Sequence, residues 1–317
     1  MSGKTRRDAW SLRISPMDRL GEPIDLLLTL DGGQTFRWQP RGDGSLEGMA
    51  SGWRVRVQVD PGLLPGELVV DDEPSSGAGT AREVREAFAR LLDLERDYRA
   101  ARERLLAVDP SLADAVAATR GLRIVRLDPW EAVLSFVLSS HTHIARIKGM
   151  LARICQAAAD PERPWALPAP EAVAALGERA LRRLGLGYRA AYLARTARLL
   201  ADDPSFLEEG RRLPTPELVQ HLQALPGVGE KVAHCIALFG YGRWDAFPID
   251  RWARRALEGA YFGGRSMPVR ELQSFVQARF GDLAGLAQAH LFAHARKVGR
   301  DPGPRDAESG AWDRSCL

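Results

Sequence analysis

The stretch Leu225-Pro226-Gly227-Val228-Gly229-Glu230-Lys231-Val232-Ala233 separates two apolar helical patterns and decides how the chain reads. On one side Thr215-Pro216-Glu217 opens a helix through Leu218, Val219 and Leu222; on the other an apolar helix runs through Ile236 and Leu238. Pro226 ends the first helix, and the two glycines permit a tight turn at positive φ. The backbone N–H groups of Gly227, Val228 and Gly229 can then approach a phosphate at the second helix's N-terminus. Such a hairpin grips a nucleic-acid backbone without reading its sequence. For Gly-x-Gly alone, an ordinary helix connection is an equal alternative; the full string is more specific.

Lys231 falls in the first turn of the second helix, where the positive end of the helix dipole and partial burial both disfavour a protonated amine. Lysine is scarce in this chain: Lys4, Lys148, Lys231 and Lys297 stand against 40 arginines. An amine can lose its proton and attack carbon, whereas a guanidinium stays protonated. Lys231 is therefore a candidate nucleophile, with a phosphate contact as the plainer alternative. Asp250 follows in Phe247-Pro248-Ile249-Asp250-Arg251, where it can serve simply as a helix N-cap.

Outward from the hairpin, residues from about Ser111 onward show Ala- and Leu-rich segments between Pro and Gly breaks, and Asp128-Pro129-Trp130-Glu131 is a helix start. The first hundred residues read differently. Trp53, Val55, Val57 and Val59 alternate with Arg54, Arg56 and Gln58 as in a half-buried strand, and Leu26–Leu30 and Phe36–Trp38 are further strand candidates. A helix is expected around Val84, Ala87, Phe88, Leu91 and Leu92. The expected fold is α+β: an N-terminal antiparallel β domain over residues 1–105, a mainly α-helical domain over 106–299 and a mobile tail over 300–317.

The 317 residues, 45% hydrophobic and 27% charged, with a mean hydropathy of -0.23, are enough for a buried core and exclude a disordered or membrane-spanning chain. Cys155, Cys235 and Cys316 provide neither a disulfide framework nor a four-cysteine metal site, so a reducing cytoplasm is expected, nucleoid-associated in a prokaryote, with no export signal and no membrane partner. Residues 1–120 carry 17 basic and 20 acidic side chains, and residues 121–317 carry 27 and 21, which points weakly to a polyanion partner for the second part. His290 and His294 share a helix face, yet no third ligand is evident, so no metal and no cofactor are expected.

Together with the hairpin, Lys231 and Asp250, several strings occur in a characteristic order. They are Gly33-Gln34-Thr35-Phe36-Arg37-Trp38, Asp128-Pro129-Trp130-Glu131, Ser139-Ser140, Ile144-Ala145-Arg146-Ile147, Leu184-Gly185-Leu186-Gly187-Tyr188-Arg189 and Ala287-Gln288-Ala289-His290-Leu291-Phe292. The combination resembles the 8-oxoguanine DNA glycosylase family of the helix-hairpin-helix superfamily across most of the chain. The resemblance implies a bifunctional glycosylase and apurinic/apyrimidinic lyase acting on duplex DNA, with the damaged purine opposite cytosine; nothing in the sequence requires more than a monomer. It implies that Lys231 attacks C1′ of a flipped nucleotide while Asp250 stabilises the developing positive sugar. Gly33 would sense the proton that oxidation places on purine N7, Gln288 would contact the Watson–Crick edge, and Phe292 and Cys235 would wall the lesion. Tyr188 would be the wedge, with Arg146 and Arg189 reading the orphaned cytosine. His141-Thr142-His143 replaces a run of asparagines of the eukaryotic pattern, with His141 retained as a DNA-binding candidate, and Trp252 stands where a histidine is expected. Two alternatives remain at this point: an alkylpurine glycosylase of the same superfamily, and a non-catalytic DNA-binding module.

Overall fold

The computed structural model describes residues 9–72, 80–161 and 166–298, so the tail expected over 300–317 lies outside the described residues. The first part builds a five-stranded sheet from β1 (Trp10–Ile14), β2 (Gln39–Pro40), β3 (Leu46–Ala50), β4 (Trp53–Val59) and β5 (Leu68–Asp72), in the order β2-β3-β4-β1-β5. The β4 strand forms as its alternation predicts, with Val55 and Val57 buried.

The sheet is mixed rather than purely antiparallel, because β1 pairs parallel with β4, Leu12 opposite Val57, while its other neighbour β5 runs antiparallel. Alternation identifies a strand's buried face but not its neighbour's direction, and β1 has no short hairpin to fix that direction. Two strand expectations also fail. Leu26–Leu30 is a helix, α1, capped by Asp25, whose Oδ1 accepts from the Leu28 N–H at 2.8 Å. Its buried Leu26, Thr29 and Leu30 follow helical spacing, which a short apolar run conceals. Phe36–Trp38 is irregular, its rings sunk into the core: Phe36 meets Phe136 edge-on at 5.7 Å, and Trp38 lies 5.8 Å from Phe88.

The helices are α2 (Ala81–Leu91), α3 (Tyr98–Val108), α4 (Ala113–Ala118), α5 (Pro129–Leu138), α6 (Ile144–Ala157), α7 (Pro170–Leu181) and α8 (Arg189–Asp202), then α9 (Phe206–Glu209), α10 (Thr215–Leu222), α11 (Glu230–Gly240), α12 (Arg251–Phe262), α13 (Val269–Phe280) and α14 (Ala284–Val298). The α5 helix is buried at every position and packs on α11, with Phe136 and Phe239 stacked at 5.3 Å. Gly240 keeps that contact close: a Cβ there would lie 2.9 Å from the Ala132 methyl. No helix among the described residues is long and apolar enough to cross a membrane.

Asp109 ties the end of α3 to the C-terminal helices, accepting from Arg279 Nε at 3.1 Å, from the Tyr261 hydroxyl and from the Ser111 hydroxyl. Burial alone would raise its carboxyl, but these donors outweigh it and hold the group at about 2. A carboxyl depressed in the folded state adds stability above its unfolded value, and that stability is lost as pH falls through the folded value. Acid titration of folding is thus expected to show a loss between about pH 4 and pH 2. Asp109→Asn should flatten that limb in denaturant titrations run across this range.

Candidate active site

The hairpin begins three residues earlier than its proline implies: α10 ends at Leu222, and Leu225 and Val228 are buried beneath the turn. Only Gly227 uses left-handed backbone, at φ +82, while Gly229 is extended and starts α11 without a side-chain cap. Gly227 is pressed on α8, where a Cβ would lie 2.7 Å from Tyr192 Cβ, and the Thr196 hydroxyl donates to the Pro226 carbonyl at 2.8 Å. The Val228 N–H is spent within the turn, donating to the Leu225 carbonyl at 3.0 Å. Of the three hairpin residues expected to meet phosphate, Val228 is therefore chiefly an anchor.

Lys231 occupies the first turn of α11, half-buried, with Nζ 6.0 Å from the Phe136 ring centroid on α5. Cys235 lies one helical turn on, on the same face of α11. Burial pushes the Cys235 thiol up, the Lys231 charge pulls it down, and the Asp250 carboxylate pushes it up again. Lys231, Cys235 and Asp250 thus share one electrostatic neighbourhood. Asp250 is the N-cap of α12, Oδ1 accepting from the Ala253 N–H at 2.7 Å, so the plain structural role is present beside any chemical one.

The second group gathers around Phe292. Gly33, at φ +96, lies where a Cβ would meet Ile144 Cδ1 of α6 at 2.8 Å and Phe292 Cε1 of α14 at 3.5 Å. Trp252, two residues beyond Asp250, presents its edge to Phe292 with ring centroids 6.2 Å apart. Gln288 is buried one turn before Phe292 on α14. The two groups meet at the start of α12. Gln34 fixes the middle of the glycine loop, its Nε2 donating to the Arg123 carbonyl at 2.8 Å and its Oε1 accepting from the Val125 N–H at 3.2 Å.

A third group surrounds the Ser140 carbonyl. The Tyr188 hydroxyl donates to it at 3.1 Å, and the Arg189 guanidinium donates to it and to the His141 carbonyl at 3.3 Å while lying 4.5 Å over the Tyr188 ring. Tyr188 remains 47% exposed, as a wedge must, but Arg189 is buried and already engaged. Arg146 is exposed, and among the described residues its guanidinium forms no ion pair. His141 is exposed at φ +49, a conformation that asparagine tolerates better than histidine. His143 caps α6, its Nδ1 accepting from the Arg146 N–H at 3.3 Å.

His290 lies in the core, its Nδ1 2.7 Å from the Thr119 hydroxyl, and burial pushes it down to about 3. No cluster of three or more potential metal ligands occurs among the described residues. Phe136 floors the lysine and Ile144 backs Gly33, roles the sequence does not mark, because an apolar helical residue carries no local sign of the face it serves.

A family model described as 8-oxoguanine DNA glycosylase, N-terminal domain, matches residues 19–133, and one described as HhH-GPD superfamily base excision DNA repair protein matches residues 134–281. The N-glycosylase/DNA lyase OGG1 of Arabidopsis thaliana is 30% identical over 295 residues, covering 87% of this chain and 79% of that protein. The Clostridium acetobutylicum 8-oxoguanine glycosylase/lyase, solved with duplex DNA containing cytosine opposite 8-oxoG, superposes with a TM-score of 0.78 at 30% identity, over 88% of this chain and 94% of that one. A 3-methyladenine DNA-glycosylase from Archaeoglobus fulgidus shares the fold at 20% identity, with a TM-score of 0.57 over 81% of this chain and 86% of that one.

The two hairpin glycines should respond differently to a methyl group. Gly227→Ala meets both left-handed strain and Tyr192, and is expected to lower the unfolding free energy by about 2 kcal/mol. Gly229→Ala, with no neighbour near its new Cβ, should cost less than about 0.5 kcal/mol in the same urea titration.

Proposed function

The chain belongs to the 8-oxoguanine DNA glycosylase family of the helix-hairpin-helix superfamily and is a bifunctional N-glycosylase/DNA lyase; from this premise we propose that the Lys231 amine performs both reactions on 8-oxoguanine in duplex DNA. The observation that carries this assignment is the convergence of Lys231, Cys235 and Asp250 directly behind the hairpin, in a chain that otherwise avoids lysine.

An intact stack hides C1′ from any side chain, so the damaged nucleotide is extruded first. The free Lys231 amine then attacks C1′; the new C–N bond forms as the glycosidic bond breaks and its electron pair leaves with the purine. Asp250, held at the α12 N-terminus, places negative charge beside the sugar as it becomes positive. Ring opening gives an imine on Lys231, and loss of a C2′ proton expels the 3′ phosphate by β-elimination. Cys235, one turn further along α11, lies beside the amine.

Selectivity rests on the Phe292 group. Guanine N7 accepts a hydrogen bond, whereas oxidation at C8 makes N7 a donor, which the Gly33 carbonyl accepts. Phe292 stacks on the base, Gln288 meets its Watson–Crick edge and Cys235 closes the opposite wall. The hairpin holds backbone phosphate through the free amides at the α11 N-terminus. On the facing strand Tyr188 fills the gap, Arg146 reads the partner cytosine, and Arg189 shapes the Ser140–His141 turn that it clasps and reaches a base only by releasing it. His141 contributes a ring nitrogen to the same strand. We take the monomer as the working unit, because one chain supplies a nucleophile, a lesion wall and a strand-facing wedge.

Lys231→Gln is expected to retain duplex binding and lose excision by at least about a thousandfold, together with the borohydride-trapped adduct. Excision near the wild-type rate would place the nucleophile elsewhere. In a panel varying both lesion and partner base, 8-oxoguanine opposite cytosine should be released fastest; preferential release of 3-methyladenine would contradict the assignment.

A further inference from the structure

Lys148, one of only four lysines, has no part in the chemistry above. It lies on α6, and its Nζ donates both to the Asp31 carboxylate and to the Trp38 carbonyl, the latter at 2.6 Å. Those two acceptors bound the segment that contains Gly33, so one amine closes the loop across its mouth. Arg296 of α14 donates to the Asp31 carbonyl at 3.3 Å, so α6 and α14 hold the same residue from two sides.

The rest of this segment is fixed by other means, and the unfixed part is the part that matters. Gln34 is bonded to the Arg123 and Val125 backbone, and Phe36 and Trp38 are buried. Between the end of α1 and Gln34 stand only Asp31, Gly32 and Gly33. Two consecutive glycines offer little torsional resistance, and Asp31 supplies the sole side chain by which this stretch can be gripped. A compact ammonium can direct its three donors to a carboxylate and a carbonyl in different directions, where a planar guanidinium would donate in one plane.

We propose that Lys148 is a positioning residue for lesion discrimination: by tying Asp31 and Trp38 to α6, it holds the Gly33 carbonyl at a fixed place beside Phe292. The proposal rests on the reading of Gly33 as the sensor of the N7 proton. The side chains of Lys148 and Asp31 are 24% and 30% exposed, so the pair is only partly screened by solvent, and urea midpoints of the variants are measured beside their rates to separate placement from stability. The pair's value lies in placement, since displacement of a recognition group by about 1 Å costs up to roughly a hundredfold in rate.

The test separates base recognition from the lysine chemistry. Lys148→Met keeps the alkyl stem and removes the donors; it is compared with wild type and Lys148→Arg in single-turnover excision of 8-oxoguanine and in cleavage at a preformed abasic site, which has no base to sense. Lys148→Met is expected to slow lesion excision by at least about tenfold while abasic-site cleavage stays within about twofold. Lys148→Arg should recover part of the loss, and Asp31→Asn should add little to Lys148→Met if both act through one contact. Equal slowing of both reactions, or slowing of neither, overturns the proposal. Failure of the wild-type protein to cleave or trap abasic DNA would instead remove the Lys231 mechanism, an outcome visible before the variants are compared.

Discussion

The close packing of α11 on α5 determines where the Lys231 amine, the proposed nucleophile, stands. Phe136 and Phe239 stack between the two helices, Gly240 lets their backbones approach, and α11 is buried from Val232 to its end. A helix fixed along this length leaves its first turn little freedom. Lys231 therefore emerges at a defined point over the Phe136 ring, with Cys235 as its neighbour on the same face. The hairpin before it is locked by the Thr196 hydroxyl and by the fit of Gly227 on Tyr192, so the phosphate-facing turn and the amine keep a constant relation.

The second constraint is the way the glycine loop of the sheet-bearing part is carried to the last helix. Gly33 lies between Ile144 of α6 and Phe292 of α14, and Trp252 at the start of α12 backs the same ring. The proposed recognition and chemical groups meet at α12, whose cap is Asp250 and whose first turn holds Trp252. Trp252 stands where the family pattern has a histidine, and here it packs against Phe292, the ring proposed to stack on the lesion. Arg37 and Glu131 form a further buried pair at 3.8 Å that joins the loop to α5, and burial raises the Glu131 carboxyl.

The most legible features were those fixed by local rules. The hairpin, the one-turn spacing of Lys231 and Cys235, the Asp128 and Asp250 caps and the β4 alternation each depend on a few adjacent residues. Strand direction was not legible, since Leu12 shows only that it is buried and not that Val57 lies beside it in a parallel neighbour. The Leu26–Leu30 run suits a strand or a helix equally by its apolar pattern, and the Asp25 cap is what decides for the helix. The Arg189 contacts to Ser140 and His141, and the amide commitment of Val228, depend on folded geometry that no spacing rule supplies. Lysine scarcity drew attention to Lys231 inside the hairpin string, but it carried no sign of the Lys148 contact, whose partner Asp31 lies 117 positions away.

The most direct measurement is peptide mapping by mass spectrometry of the covalent product formed when borohydride reduces the wild-type protein on 8-oxoguanine DNA. A single deoxyribose remnant on the peptide containing Lys231 is the predicted result. A remnant on Lys148, on Lys297 or on the chain's terminal amine, with Lys231 unmodified, would contradict the central claim.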